Sequence, residues 1–215
     1  MGKPPNAIRR SDKSRKATLA AALDLCAELG YSAVTVEAIA NRAGASKATI
    51  YRWWPSKGAI VLEAIDEAGL APKTFPDTDD LAADLHTQLC GILSVFTDQR
   101  LGPAFTGVLA EGQLDPGLSQ ELRERLIEPR LAQCYTRMRN AQDRGQLATD
   151  ADLDVAMDLL HAPIYRRHVL GYPLPTPDYL DKLIEHTLRV LAPASATTSS
   201  RARRDLAEAP PNHPE

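Results

Sequence analysis

The chain has 215 residues, 44% apolar and 25% charged, with no run near the ~20 consecutive apolar residues of a membrane span, which points to a folded, water-soluble protein. The basic stretch Met1–Lys16 lacks the apolar core of a secretory signal, and Cys26, Cys90 and Cys134 lie far apart without CxxC spacing, which argues against a disulfide scaffold or structural zinc and leaves a reduced, cytoplasmic setting as the expectation. The net charge of -3 hides a split: residues 1–57 hold 10 Lys/Arg against 4 Asp/Glu (+6), and residues 58–215 hold 15 against 24 (-9), so attraction for phosphate concentrates in the head.

Helical periodicity dominates from end to end and no strand pattern stands out. A first amphipathic helix is predicted over about Lys13–Leu29, with Leu19, Leu23, Cys26, Ala27 and Leu29 on one stripe and Gly30 ending it. Thr35 caps a short helix, Val36–Ala43, which Gly44 breaks. Ser46 caps another, reaching about Trp54 before Pro55 stops it, and Ser56 caps a fourth to about Ala71. Ala71–Asp80 (APKTFPDTDD) reads as a linker. Helices are then predicted over Leu81–Gln99 and Pro103–Glu111. Asp115-Pro116 opens a long helix to about Arg144, closed by Gly145 and kinked before Pro129. Leu153–Leu170, bent or bulged at Pro163, and a helix started by Thr176-Pro177-Asp178 that ends near Leu191 complete an all-α chain of about nine helices. The small, polar stretch at 193–215 is expected to be a disordered tail.

Residues 31–58, YSAVTVEAIANRAGASKATIYRWWPSKG, carry the functional signal. Two short helices flank a Gly-containing turn, the layout of a helix-turn-helix whose second helix enters a DNA major groove. Val36, Ile39, Ala40, Ile50 and Trp54 face inward, while Ser46, Lys47, Ala48, Thr49, Tyr51, Arg52 and Trp53 face out. That outer set offers short donors and acceptors, a methyl group, a phenol and two cations, suited to base edges and phosphates. The pattern resembles the DNA-binding domain of TetR-family transcriptional regulators: Thr35, Ile39-Ala40, Ala43-Gly44, Ser46, Thr49-Ile50-Tyr51, Trp54 and Ser56-Lys57 stand at the family's spacing. Gly58 departs from it, standing where the family favours an acidic or helix-forming residue, and Trp54 takes a position commonly held by Phe.

The resemblance implies a homodimer that binds a palindromic double-stranded DNA operator, usually as a repressor, and is released by a small effector molecule. It divides the chain into a flexible basic arm at 1–12, a three-helix helix-turn-helix DNA-binding domain at 13–58, a larger helical ligand-binding and dimerisation domain at 59–192, and the tail at 193–215. By the same resemblance, Thr35, Tyr51 and Lys57 meet phosphates. Ser46, Lys47, Ala48, Thr49 and Arg52 meet bases or groove edges, Trp53 meets the DNA backbone, and Arg9, Arg10, Lys13, Arg15 and Lys16 reach a flanking groove.

For a hydrophobic or aromatic effector, the candidate lining is Phe96, Phe105, Leu109, Leu131, Tyr135, Met138, Met157 and His161, residues that core packing explains equally well. For the dimer, the last two helices offer Leu159, Leu160, Tyr165, Leu180, Leu183, Ile184, Leu188 and Leu191, the alternative being that they cover the subunit's own core. No enzyme, cofactor, metal or membrane partner is expected. The carboxylates Asp79-Asp80 and Asp150, Asp152 and Asp154 lie at helix starts, facing the dipole; His161 and His168 lack a third ligand; no nucleophile motif or phosphate loop is present. Two rival readings share these features: a DNA-binding protein with no ligand, and a helical protein-interaction module.

Overall fold

Side-chain capping and glycine turns place nearly every boundary. In the computed structural model, which describes residues 5–69 and 75–193 with side chains from residue 12, every regular element among the described residues is helical. The side chains of Arg9 and Arg10, the Ala71–Thr74 start of the predicted linker and the tail past Pro193 lie outside the described residues. Helix α1 (Pro5–Leu29) begins before the predicted Lys13, since a proline in the first turn lacks only an N–H that would have no helical partner. Gly30 (φ 76°) turns the chain into a 3-10 turn, Tyr31–Ala33, followed by α2 (Val36–Ala43), α3 (Lys47–Tyr51) and α4 (Lys57–Ala68). Next come α5 (Leu81–Thr97), α6 (Leu101–Gly112), α7 (Pro116–Leu122), a π turn at Arg123–Ile127 and α8 (Glu128–Asp143). The kink expected before Pro129 takes the form of that π turn, through which α7 continues into α8; a widened turn absorbs the backbone partner that the proline cannot supply. Helices α9 (Leu153–Val169, with Pro163 inside it) and α10 (Pro177–Val190) complete nine helical rods among the described residues, with α7–α8 counted as one.

The chain packs as two compact units. Residues 5–69 with 91–132 form one, and 75–90 with 133–193 the other. In the first, α1 meets α2, α4 and α6, and α4 meets α6. Its core holds Leu19, Leu23, Cys26, Ile39, Ile50, Ile60, Val61, Leu62, Ile65, Phe105 and Val108. Ala27 and Leu29, expected on the buried stripe of α1, are exposed, and Ala22 and Leu25 are buried in their place.

In the second unit, α9 packs on α10, and the Ala148 N–H donates to the Leu191 carbonyl at 2.8 Å. A buried ion pair organises the segment that precedes α5. Arg137 Nε donates to Asp84 Oδ2 (2.7 Å), and Arg137 Nη2 donates to the Thr78 carbonyl (2.9 Å). The Thr78 N–H and hydroxyl in turn donate to the same carboxylate. Burial raises the Asp84 pKa, but the bonds from Arg137 and Thr78 outweigh it and hold the carboxyl below its ordinary value.

Candidate nucleic-acid interface

The helix-turn-helix is assembled by short polar caps and one left-handed glycine. Thr35 Oγ1 accepts the Ala38 N–H at 3.1 Å and starts α2; Gly44, at φ 63° and ψ 31°, ends it in a conformation that costs other residues a Cβ clash. Ser46 Oγ accepts the Thr49 N–H at 3.1 Å and starts α3. Regular α-helix stops at Tyr51 rather than Trp54, and a turn with Trp53 N–H and Trp54 N–H both donating to the Ile50 carbonyl carries the chain to Pro55. Ile39, Ala40, Ile50 and Trp54 are buried, and the Trp54 indole N–H donates to Glu63 Oε2 at 2.8 Å. The outer face presents Ser46, Lys47, Ala48, Tyr51, Arg52 and Trp53 exposed, with Thr49 half-buried; Tyr51 and Trp53 expose 53% and 47% of their surface.

Acidic neighbours temper the head's positive charge. Lys47 pairs with Glu37 on α2, and the contact holds the Glu37 carboxyl below its ordinary range. Arg42 grips Glu28 with two bonds of 2.8 Å. Arg15, expected in the DNA-reaching arm, instead binds Glu63 (2.6 Å) and Glu67 (2.7 Å) and ties α1 to α4. Lys57, expected to meet a phosphate, is turned inward: its Nζ donates to the Tyr31 carbonyl at 3.2 Å and lies 4.2 Å from the centre of the Tyr31 ring. Arg52 on the outer face lies 6.0 Å from the Trp53 ring centre. Lys13 and Lys16 are exposed on α1.

The expected effector residues divide between the units. In the first, Phe96 and Phe105 are buried edge to face with ring centres 5.6 Å apart, and Leu109 and Leu131 are half-buried. An open groove of about 820 Å³ in this unit is lined by Phe96 together with Tyr31, Lys57, Pro103, Thr106, Gly107, Glu111 and Leu114. In the second unit Met138 and Met157 are buried, and the Tyr135 hydroxyl donates to Asp154 at 2.6 Å. The half-buried His161 places Nδ1 2.8 Å from the Met157 carbonyl and Nε2 3.1 Å from the Gln88 amide nitrogen; burial lowers its pKa.

Of the expected dimer seam, Leu160, Leu180, Ile184 and Leu191 are buried within the chain and belong to its core, because their side of each helix faces a neighbouring rod. Tyr165, Leu183 and Leu188 are half-buried, and the apolar surface left open on α9 and just beyond is Val155, Leu159, Val169, Leu170 and Tyr172.

Residue order did not expose the Arg137–Asp84 pair. The one signal was an arginine on the α8 stripe that also carries the buried Cys134, Met138 and Ala141. Burial pushes the Cys26 thiol up to about 11 and Cys134 up to about 12, and also raises Cys90, so none carries the low pKa of a redox-sensing thiol. No group of three metal-ligating side chains lies together among the described residues.

Residues 19–64 match the family described as bacterial regulatory proteins, tetR family, and residues 75–187 match the Tetracyclin repressor-like, C-terminal domain. The chain belongs to the TetR family. It is 33% identical over 190 residues to the uncharacterized HTH-type transcriptional regulator YdeS of Bacillus subtilis (strain 168), covering 88% of this chain and 96% of that one. It is 28% identical over 186 residues to the DNA-binding transcriptional repressor TetR of Mycobacteroides abscessus, covering 86% and 96%. The crystal structure of the TetR family transcription regulator SCO0332 superposes with a TM-score of 0.64 at 32% identity, over 84% of this chain and all of that one. The chain is therefore a DNA-binding, HTH-type transcriptional regulator, and its family is one of regulators rather than enzymes. No described helix is long and apolar enough to cross a membrane.

Proposed function

We propose that this chain is a homodimeric repressor that reads a palindromic operator with α3 and leaves it when a small hydrophobic or aromatic molecule binds the C-terminal part. The observation that carries the reading is the open outer face of α3, where hydroxyl, ammonium, guanidinium, methyl and aromatic groups stand together above a buried apolar core. Ser46, Lys47, Ala48, Thr49 and Arg52 address base edges, and Thr35, Tyr51 and Trp53 address the sugar-phosphate chain. The relative named as a DNA-binding transcriptional repressor supports the sign of the output.

Two α3 helices must sit about one helical turn apart, ~34 Å, to occupy successive major grooves. An effector releases the operator only by binding the state with the wrong spacing more tightly. Tyr135, Met138, Met157 and His161 supply adaptable thioethers, an aromatic ring and a weakly basic imidazole for such a ligand. Dimer contacts are assigned to the open apolar side of α9, Val155 and Leu159, with Tyr165, Leu183 and Leu188.

The test is affinity for the DNA flanking the protein's own gene against random duplex, at about 50 and 200 mM salt. Selective binding that weakens with salt and falls in Lys47→Ala supports the operator reader; equal weak binding to both duplexes rejects it for that DNA. A thermal-shift screen of small aromatic molecules, followed by operator competition, tests the effector.

A further inference from the structure

We propose that Lys57 is a latched cation: Glu111 on α6 and the backbone of Tyr31 withhold it from the DNA face, so that α6 sets how many phosphates the head contacts. The inference rests on the reading of the head as a DNA reader. Lys57 opens α4 directly after its cap, Ser56, at the edge of the helix-turn-helix. Its side chain is only 21% exposed. Nζ donates to the Tyr31 carbonyl at 3.2 Å, stands 4.2 Å from the Tyr31 ring centre, and lies 3.8 Å from Glu111 Oε2.

Two glycines shape the space around these groups. A Cβ on Gly107 would lie 2.0 Å from Cγ of Tyr31, so only glycine on α6 lets the ring seat there. A Cβ on Gly58, the residue after Lys57, would lie 2.8 Å from Glu111 Oε1, so the missing side chain lets the carboxylate come in beside the ammonium. A lysine stem is long and rotatable, and an ion pair whose carboxylate side chain is 32% exposed to water is weak. The latch therefore opens at small cost when α6 withdraws its carboxylate, and a freed ammonium gains a phosphate.

Counterion release gives the readout. Each phosphate neutralised adds about 0.9 to the slope of log affinity against log salt. One freed lysine in each subunit of a dimer adds about 1.8, roughly 60-fold more affinity lost per tenfold rise in salt. The full chain is titrated by fluorescence anisotropy onto a duplex that the wild type has selected from a random-sequence pool, across a salt series. Glu111→Gln is expected to steepen the slope by about that amount, Glu111→Met to do the same, and Lys57→Met/Glu111→Gln to return it to the wild-type value. A Glu111→Gln slope equal to wild type overturns the latch, as does a Lys57→Met slope flattened by that amount, which would place the wild-type ammonium on phosphate already. If the wild type selects no duplex, the DNA-reader reading fails and the latch falls with it.

Discussion

Single side chains carry the largest energetic stakes where burial is complete. Arg137 is 2% exposed, and its Asp84 partner is equally buried, so removing the guanidinium leaves a buried carboxylate without its opposite charge, held only by the bonds from Thr78. Arg137→Met is expected to destabilise the fold by about 3–5 kcal/mol, read from urea unfolding. The pH dependence has a definite sign. The folded pKa of Asp84 is depressed, so its ionised contribution is complete above the unfolded value of about 3.9 and is lost as pH falls through the lower folded value. Urea midpoints of wild type and Arg137→Met should therefore converge only in strong acid. Gly107→Ala drives a methyl into the root of the Tyr31 ring and should cost about 1–3 kcal/mol by the same assay. These effects were hard to read from residue order, because a buried arginine and a glycine under a tyrosine depend on which helices meet. Gly58 is a parallel case. As a helix residue it looks unfavourable, yet it is buried and leaves room for Leu118 and Glu111.

At the level of the helix, local chemistry was legible. Thr35, Ser46, Ser56, Asp115 and Thr176 cap the helices they were expected to cap, because an N-cap needs only a side-chain oxygen and a free N–H two or three residues on. Ser56→Ala should cost about 1 kcal/mol, seen as a lower urea midpoint with an unchanged slope. Boundaries without such a cap were less certain. The N-terminal end of α1 lies at Pro5, and α3 closes at Tyr51 because the last residues before Pro55 form a turn. For the candidate site, the inward and outward faces of α2 and α3 followed from apolar spacing alone. The inward pose of Lys57 and the pairing of Arg15 did not, since their three acidic partners sit far along the chain, at Glu111 for the lysine and at Glu63 and Glu67 for the arginine.

For the whole molecule, the dimer seam separates what periodicity can and cannot resolve. Leu159 and Leu160 are adjacent in sequence, but successive helical residues point about 100° apart. Leu160 is fully buried, whereas Leu159 is 42% exposed. Leu159→Arg is expected to yield a folded monomer with weakened operator binding, by analytical ultracentrifugation and anisotropy, while Leu160→Arg should lower the unfolding temperature sharply. An unchanged sedimentation coefficient for Leu159→Arg would move the interface elsewhere.

The distribution of thiols lets each unit's opening be timed. Cys26 is 0% exposed in the first unit and Cys134 is 1% exposed in the second, and both hold their protons to high pH. Neither reacts with an alkylating reagent until its own surroundings open. Peptide mass spectrometry after pulses of iodoacetamide would thus return two separate opening rates from unmodified protein, with the partly accessible Cys90 as an internal standard. Adding operator DNA to the same reaction would reveal which half of the molecule the nucleic acid stiffens.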